Sequence, residues 1–273
     1  MLKMFILVAA MAMFPHMQYL PASKGNNLID KNNFFKQHQF AFKTPDAANI
    51  LEAKKVTSTV DTAALKQSNW YAGVLKNIEA SEYNISLDNQ SHNYASPNRQ
   101  QNLRGYYNNN QFTVTPRNDS ADKWKLSLTL KGIFAGQQQL MAPVKNAAIT
   151  KNGSTLQFNN NNTFTTEYVN NKEGIRQNFI IHQQPLNNPK KISIRLQANK
   201  GWFINKANNT EIHFAKATKN GYQKKLTYND LKVWDANHKT LDASFSVKEN
   251  TISIDVETKN VVYPVTVDPI STT

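Results

Sequence analysis

The sequence predicts a mainly β protein, with antiparallel sheets packed as a β-sandwich and one short N-terminal helix. Two observations carry this. From Phe112 onward apolar residues fall on alternate positions. Examples are Trp124, Leu126, Leu128 and Leu130 in WKLSLTLKG, Ile192, Ile194 and Leu196 in KISIRLQA, and Ile252, Ile254 and Val256 in TISIDVE. Such alternation gives each strand one buried and one solvated face, the pattern of antiparallel sheets stacked on one another. The runs are short and separated by Asn-Gly, Asn-Asn and Gly turns, which suit hairpins.

The elements follow in chain order. MLKMFILVAAMAMFPHMQYLPASKG opens with a lysine, an apolar run from Met4 to Phe14 and then small and polar residues. That is the layout of a secretory signal peptide over residues 1–23, cleaved near Ala22 or Ser23, and its core is too short for a transmembrane helix. Residues 24–60 hold no sustained period and read as an extended lead-in. Residues 61–111 read as a helix followed by a polar linker. Trp70, Val74 and Ile78 recur at helical spacing with Ser68 or Asn69 as N-cap, and DNQSHNYASPNRQQNLRGYYNNN is rich in turn formers. Residues 112–273 form the β-sandwich-type region, as one or two packed β subdomains. Within it KEN links two strands by a tight turn, and Asp235 in WDANHKT is placed to accept backbone N–H bonds.

The densest stretch is EYVNNKEGIRQNFIIHQQP, Glu167 to Pro185. Phe164, Thr166 and Tyr168 share one strand face, and Ile175, Phe179 and Ile181 share another. Both sets reach one core only if odd positions pair with even ones. An NKEG loop with Asn170 opposite Ile175 satisfies this, and so does a two-residue NK loop. Gly174 supplies the positive φ of the reversal. Either register places Arg176 on the outer face with Glu167, as an exposed cross-strand or diagonal ion pair worth about 0–1 kcal/mol.

Composition narrows the chemistry. The net charge of +13 would suit a polyanion if the lysines clustered. Along the chain, however, pairs such as Lys54-Lys55, Lys190-Lys191 and Lys224-Lys225 are dispersed and no arginine-rich arm occurs. Nucleic acid is therefore not an expected partner, whereas weak adhesion to acidic glycans or an anionic envelope is. Zero cysteines exclude thiol catalysis, iron–sulfur clusters and thiolate zinc sites, and an exported chain without disulfides is more usual of bacterial envelopes. The nine glycines are isolated, the nearest two being Gly132 and Gly136, so no phosphate-cradling loop or nucleophile elbow exists. No histidine pair has metal-ligand spacing. No catalytic, cofactor-binding or metal residues are expected. The aromatics Tyr106, Tyr107, Trp202 and Trp234 are the candidate ligand-stacking set, and Glu167, Gly174 and Arg176 are read as parts of a structural hairpin.

Several separated motifs carry a resemblance: WYAGVLKNIEASEYNI, YASPNRQQNLRGYY, EYVNNKEGIRQNFII, LTYNDLKVWDANHKTLDASFSV and VVYPVTVDPISTT. Over roughly residues 65–273 the chain resembles the N-terminal β-rich domain of large secreted or surface proteins of Bacteroidetes-type bacteria. In those proteins the domain precedes FG-GAP-like or propeller-type repeats and often a type IX sorting signal. The resemblance implies an exported, non-enzymatic scaffold or interaction module of an adhesin-like surface protein, with glycans or other envelope proteins as partners. It carries over no catalytic residue. The alternatives are a carbohydrate-binding module using exposed aromatics and a glycan-acting hydrolase built on paired carboxylates.

Overall fold

A computed structural model describes residues 69–90, 93–118 and 123–273. The signal peptide and the extended lead-in lie outside them. All the described residues belong to one compact unit, Val60–Thr273.

The unit opens with helix α1, Asn69–Ser81, as the spacing of Trp70, Val74 and Ile78 predicts. Two antiparallel sheets follow. The first contains β1 (Ser86–Asp88), β2 (Asn93–Asn98), β3 (Leu103–Tyr107), β4 (Gln111–Pro116), β5 (Leu126–Ala135) and β6 (Gln138–Met141). It is completed by β11 (Lys191–Ala198), β15 (Ala243–Lys248) and β16 (Thr251–Glu257). Its strands lie in the order β1-β2-β3-β4-β5-β11-β16-β15, and β6 pairs with β5. The second sheet holds β7 (Ala148–Asn152), β8 (Thr155–Asn160), β9 (Phe164–Asn171) and β10 (Gly174–Ile181). To these it adds β12 (Phe203–Asn208), β13 (Glu211–Thr218), β14 (Gly221–Trp234) and β17 (Val265–Thr272). Its order is β12-β13-β14-β17-β10-β9-β8-β7.

The predicted alternation is what closes the sandwich. Leu126, Leu128, Ile192, Ile194, Leu196, Ile252, Ile254 and Val256 of the first sheet join Phe164, Tyr168, Ile175, Phe179, Ile181, Val265 and Val267 of the second in one apolar core. Each fully buried large side chain of this kind stabilises by about 1.5–3 kcal/mol. Rings bridge the layers: Tyr107 of β3 lies 4.8 Å from Tyr168 of β9, centroid to centroid.

The stretch read as a polar linker is a correction. Residues 86–107 contain three strands, and in β2 and β3 the inward positions are buried although several hold polar or small residues. Their inward positions include Ser96, Asn98 and Gly105 beside Leu103 and Tyr107. Hydrogen bonds make this tolerable. Ser96 Oγ and the Tyr107 hydroxyl lie 2.6 Å apart. Asn98 Nδ2 donates to Asn170 Oδ1 at 2.8 Å and to the Asn171 carbonyl at 2.7 Å. Asn170 Nδ2 in turn donates to the carbonyls of Tyr83 and Pro97. Two fully buried amides thus clasp the first sheet to the β9–β10 hairpin, and buried amides are tolerated only when so satisfied.

The outer strands are managed individually. β1 has three residues. On β7 and β12 a lysine occupies an inward-facing position: Lys151 pairs with buried Leu156, and Lys206 with buried Ile212. An inward charge on an edge strand opposes pairing with a second sheet.

Candidate functional site

The β9–β10 hairpin adopts the NKEG register, with Ile175 opposite Asn170 and Gly174 opposite Asn171. Asn171 Oδ1 accepts the N–H groups of Glu173 and Gly174 and so shapes the turn. Gly174 has φ +154°, and a Cβ there would stand 2.5 Å from the Ser271 carbonyl oxygen and 2.8 Å from Ile270 Cγ1. The glycine is required by the close approach of β17 at least as much as by the reversal.

Beyond Ile175, the residues Arg176, Gln177 and Asn178 alternate between faces, and each face has its own chemistry. Gln177 points inward and is 1 % exposed. Its Nε2 donates to the Tyr168 hydroxyl at 3.3 Å, and its Oε1 accepts the Tyr228 hydroxyl at 3.0 Å. Asn178 points outward and donates to Glu167 Oε1 at 2.9 Å, while Gln157 donates to Glu167 Oε2 at 2.7 Å. Arg176, also outward, does not pair with Glu167. Its Nη1 donates to both oxygens of Asp268 at 2.9 Å, and its Nη2 lies 3.3 Å from Asp230 Oδ2. Glu173 stands farther off at 3.8 Å, and Lys232 neutralises Asp230 at 2.9 Å.

This overturns the expected exposed Glu167–Arg176 pair, for two reasons. Glu167 sits opposite Asn178, two residues along from Arg176, and is bonded to it. A β-bulge also interrupts the pairing of β14 with β17 between Asn229 and Lys232, and Asp230 within it has φ +50°. The bulge turns the Asp230 carboxylate toward Arg176. The side chains of Arg176 and Asp268 are only 18 % and 12 % exposed. Burial lifts the Asp268 carboxyl above its ordinary value despite Arg176 beside it. For Arg176 burial acts in the opposite sense, and its bonds to Asp268 and Asp230 outweigh it and leave the guanidinium more firmly protonated. The cluster locks β10, β14 and β17 together, and its charges are spent on one another.

Asp235 is a second internally satisfied acid. It accepts the backbone N–H groups of Asn237, Lys239 and Val262. Burial pushes its carboxyl up, but these donors together hold it below the ordinary value.

The aromatic candidates do not form one platform. Tyr107 is 1 % exposed and stacks on Phe112 at 5.6 Å. Trp202 is 7 % exposed, packs edge-on against Trp124 and Phe214, and donates to the Lys125 carbonyl. Both are core residues, which removes them from the stacking set. Trp234 is half-buried in β14. Tyr106 is half-buried on the outer face of the first sheet, in a row with Ala95 and Thr113. It lines a depression of about 500 Å³ with Asp88, Asn93, Thr113, Thr115 and Lys125. Hydroxyl, amide and charged groups thus converge on one accessible ring.

A different aromatic pair is exposed. Phe203 of β12 and Tyr222 of β14 stack at 4.4 Å and 27°, and are 47 % and 64 % exposed. The two-residue hairpin of β13 and β14, signalled by Asn220-Gly221, brings Tyr222 into range, but its reach across β13 to Phe203 depends on the register shift between Lys206 and Asn208 of β12, which sets Phe203 opposite Ala215.

Among the described residues no group of His, Cys, Asp and Glu could hold a metal ion, and no helix is long and apolar enough to cross a membrane.

No family model matches the chain, and no curated protein matches it. Among solved structures it is similar to a family GH92 inverting mannosidase from Bacteroides thetaiotaomicron VPI-5482, with 11 % identity and a TM-score of 0.33. The match covers 66 % of this chain and 27 % of that one, a likeness too loose to bear on activity.

Proposed function

We propose that the chain is an exported, non-enzymatic β-module of an adhesin-like surface protein, and that it engages saccharide in the depression beside Tyr106. The observation that carries this reading is the composition of that depression. One accessible tyrosine ring is surrounded by the polar side chains of Asp88, Asn93, Thr113, Thr115 and Lys125 in about 500 Å³. That volume lies within the range of small-ligand sites, and a few placed polar groups around an apolar surface fix orientation. A tyrosine face offers apolar area to the C–H face of a sugar ring while the hydroxyls and amides meet its oxygens. The motif resemblance over residues 65–273 and the apolar leader Met4–Phe14 support export to the cell surface. The Arg176–Asp268–Asp230 cluster supports a scaffold role, because its groups are bonded to one another.

Two measurements test the reading. Fractionation of cells producing the full chain should recover it outside the cytoplasm, shortened near Ala22 or Ser23. A panel of neutral polysaccharides in affinity electrophoresis should include at least one that retards the protein, and Tyr106→Ala should abolish the retardation. Retention of the leader in the cytoplasm defeats export. Equal retardation of Tyr106→Ala, or none with any polysaccharide, defeats the saccharide site.

A further inference from the structure

The lysines are dispersed along the chain but not in space. Residues 200–225 span β12, β13 and the start of β14, and contain Lys200, Lys206, Lys216, Lys219, Lys224 and Lys225 against Glu211 as the one acid. Antiparallel pairing folds this run onto one end of the second sheet. Phe203, Ala215 and Lys224 form one cross-strand row, Ala217 and Tyr222 the next, and Lys219 lies in the turn beyond Thr218 and Gly221. The two small alanines between Phe203 and Tyr222 let the rings meet across β13 at 4.4 Å. Lys216 is already committed, with its Nζ 2.8 Å from the Gly201 carbonyl and 4.2 Å from the Trp202 ring centre. Lys200, Lys219 and Lys224 form no ion pair or hydrogen bond through their side chains among the described residues.

From this juxtaposition we infer a second binding site, at which the Tyr222 ring, backed by Phe203, stacks on a sugar ring and Lys219 and Lys224 hold carboxylates of an acidic polysaccharide. The charge argument selects an anion: six lysines against the one acid Glu211, itself bonded to His213, leave an excess of positive charge that raises the concentration of polyanions at this end of the sheet. The ring geometry selects the kind of polyanion. Single-stranded nucleic acid is held by aromatic side chains standing apart, each stacking a successive base, often with arginine. Here the two rings occupy one another's inner faces, and residues 200–225 contain no arginine. What remains is an outer ring face, matched to a single sugar ring flanked by point charges. Lysine ammonium groups suit such isolated charges better than bidentate recognition. This site is separate from the depression beside Tyr106, so either can fail without the other.

The experiment uses the full chain with polygalacturonate, neutral dextran, a single-stranded oligonucleotide of matched charge and anionic vesicles. Binding is followed by affinity electrophoresis and calorimetry at several salt concentrations. Polygalacturonate should bind, weaken with salt, and lose about ten-fold or more in affinity in Tyr222→Ala and again in Lys219→Gln/Lys224→Gln. Tyr106→Ala should leave this binding unchanged. Tyr222 is 64 % exposed, so its truncation leaves the fold intact, and a circular-dichroism melt confirms that. Three outcomes overturn the inference: no binding of polygalacturonate, binding that Tyr222→Ala leaves unchanged, or oligonucleotide or vesicle binding as tight and as dependent on Tyr222.

Discussion

One nitrogen of the Arg176 guanidinium donates to both carboxylate oxygens of Asp268 at 2.9 Å, although the two residues are 92 positions apart in the chain. The pair is largely withdrawn from solvent, so removing one partner strands the other. Arg176→Ala should cost about 2–3 kcal/mol in urea unfolding, and a loss below about 1 kcal/mol would mean that the pair is solvated after all. The loss also depends on pH. Burial raises the Asp268 carboxyl in the fold, so its contribution to stability is full below the ordinary carboxylate range and declines as pH rises through the raised value. Without Arg176 the carboxyl rises further. The gap between wild type and Arg176→Ala should therefore widen from about pH 4 to pH 7 and narrow on acidification.

Gly174 is the point at which the hairpin meets β17. Gly174→Val would drive a side chain into the Ser271 carbonyl and Ile270, and backbone cannot move aside as a flexible side chain can. A loss of about 2–4 kcal/mol is expected. A thermal midpoint unchanged from wild type would show that β17 does not pack as described.

Gln177 serves two tyrosines at once. Gln177→Leu leaves the hydroxyls of Tyr168 and Tyr228 without this partner in the core, at about 1–3 kcal/mol each. Adding Tyr168→Phe and Tyr228→Phe should restore much of the loss, because matched apolar groups remove the unmet hydrogen bonds. If the triple variant is weaker than Gln177→Leu alone, packing rather than hydrogen bonding is the main contribution of Gln177.

Alkaline behaviour follows from the same core. Burial pushes the hydroxyls of Tyr107, Tyr168 and Tyr228 well above the ordinary tyrosine value. Their contribution to stability is full below about pH 10 and is lost as pH climbs beyond it. An ultraviolet titration should show these tyrosines ionising only together with unfolding, whereas full ionisation in the native protein would place them at the surface.

The inward lysines of the edge strands make a fifth point of attack. Lys151→Val and Lys206→Val should leave the unfolding midpoint little changed but promote concentration-dependent association, visible by light scattering. A variant that stays monomeric at all concentrations would show that these lysines do not guard the edges.

The apolar faces of WKLSLTLKG, KISIRLQA, TISIDVE and the Glu167 hairpin were legible because burial imposes period two on each strand locally. The partner of Arg176 was not. It depends on β17 arriving from 92 residues away and on a bulge that redirects Asp230, and neither leaves a short-range pattern. β2 and β3 were hidden for another reason. Their inward positions hold Ser96, Asn98 and Gly105, which look like linker residues until the other sheet supplies partners. The gathering of lysines beside Phe203 and Tyr222 likewise comes from strand pairing, and spacing along the chain conceals it.

The position of β17 governs the order of assembly. The strand latest in the chain lies between β14 and β10, so ribosomal synthesis delivers both neighbours with open edges before the piece that joins them. Until Val265–Thr272 emerges, Arg176 lacks Asp268 and Gly174 faces no strand. A nascent chain is thus kept from closing its second sheet before its last strand is made.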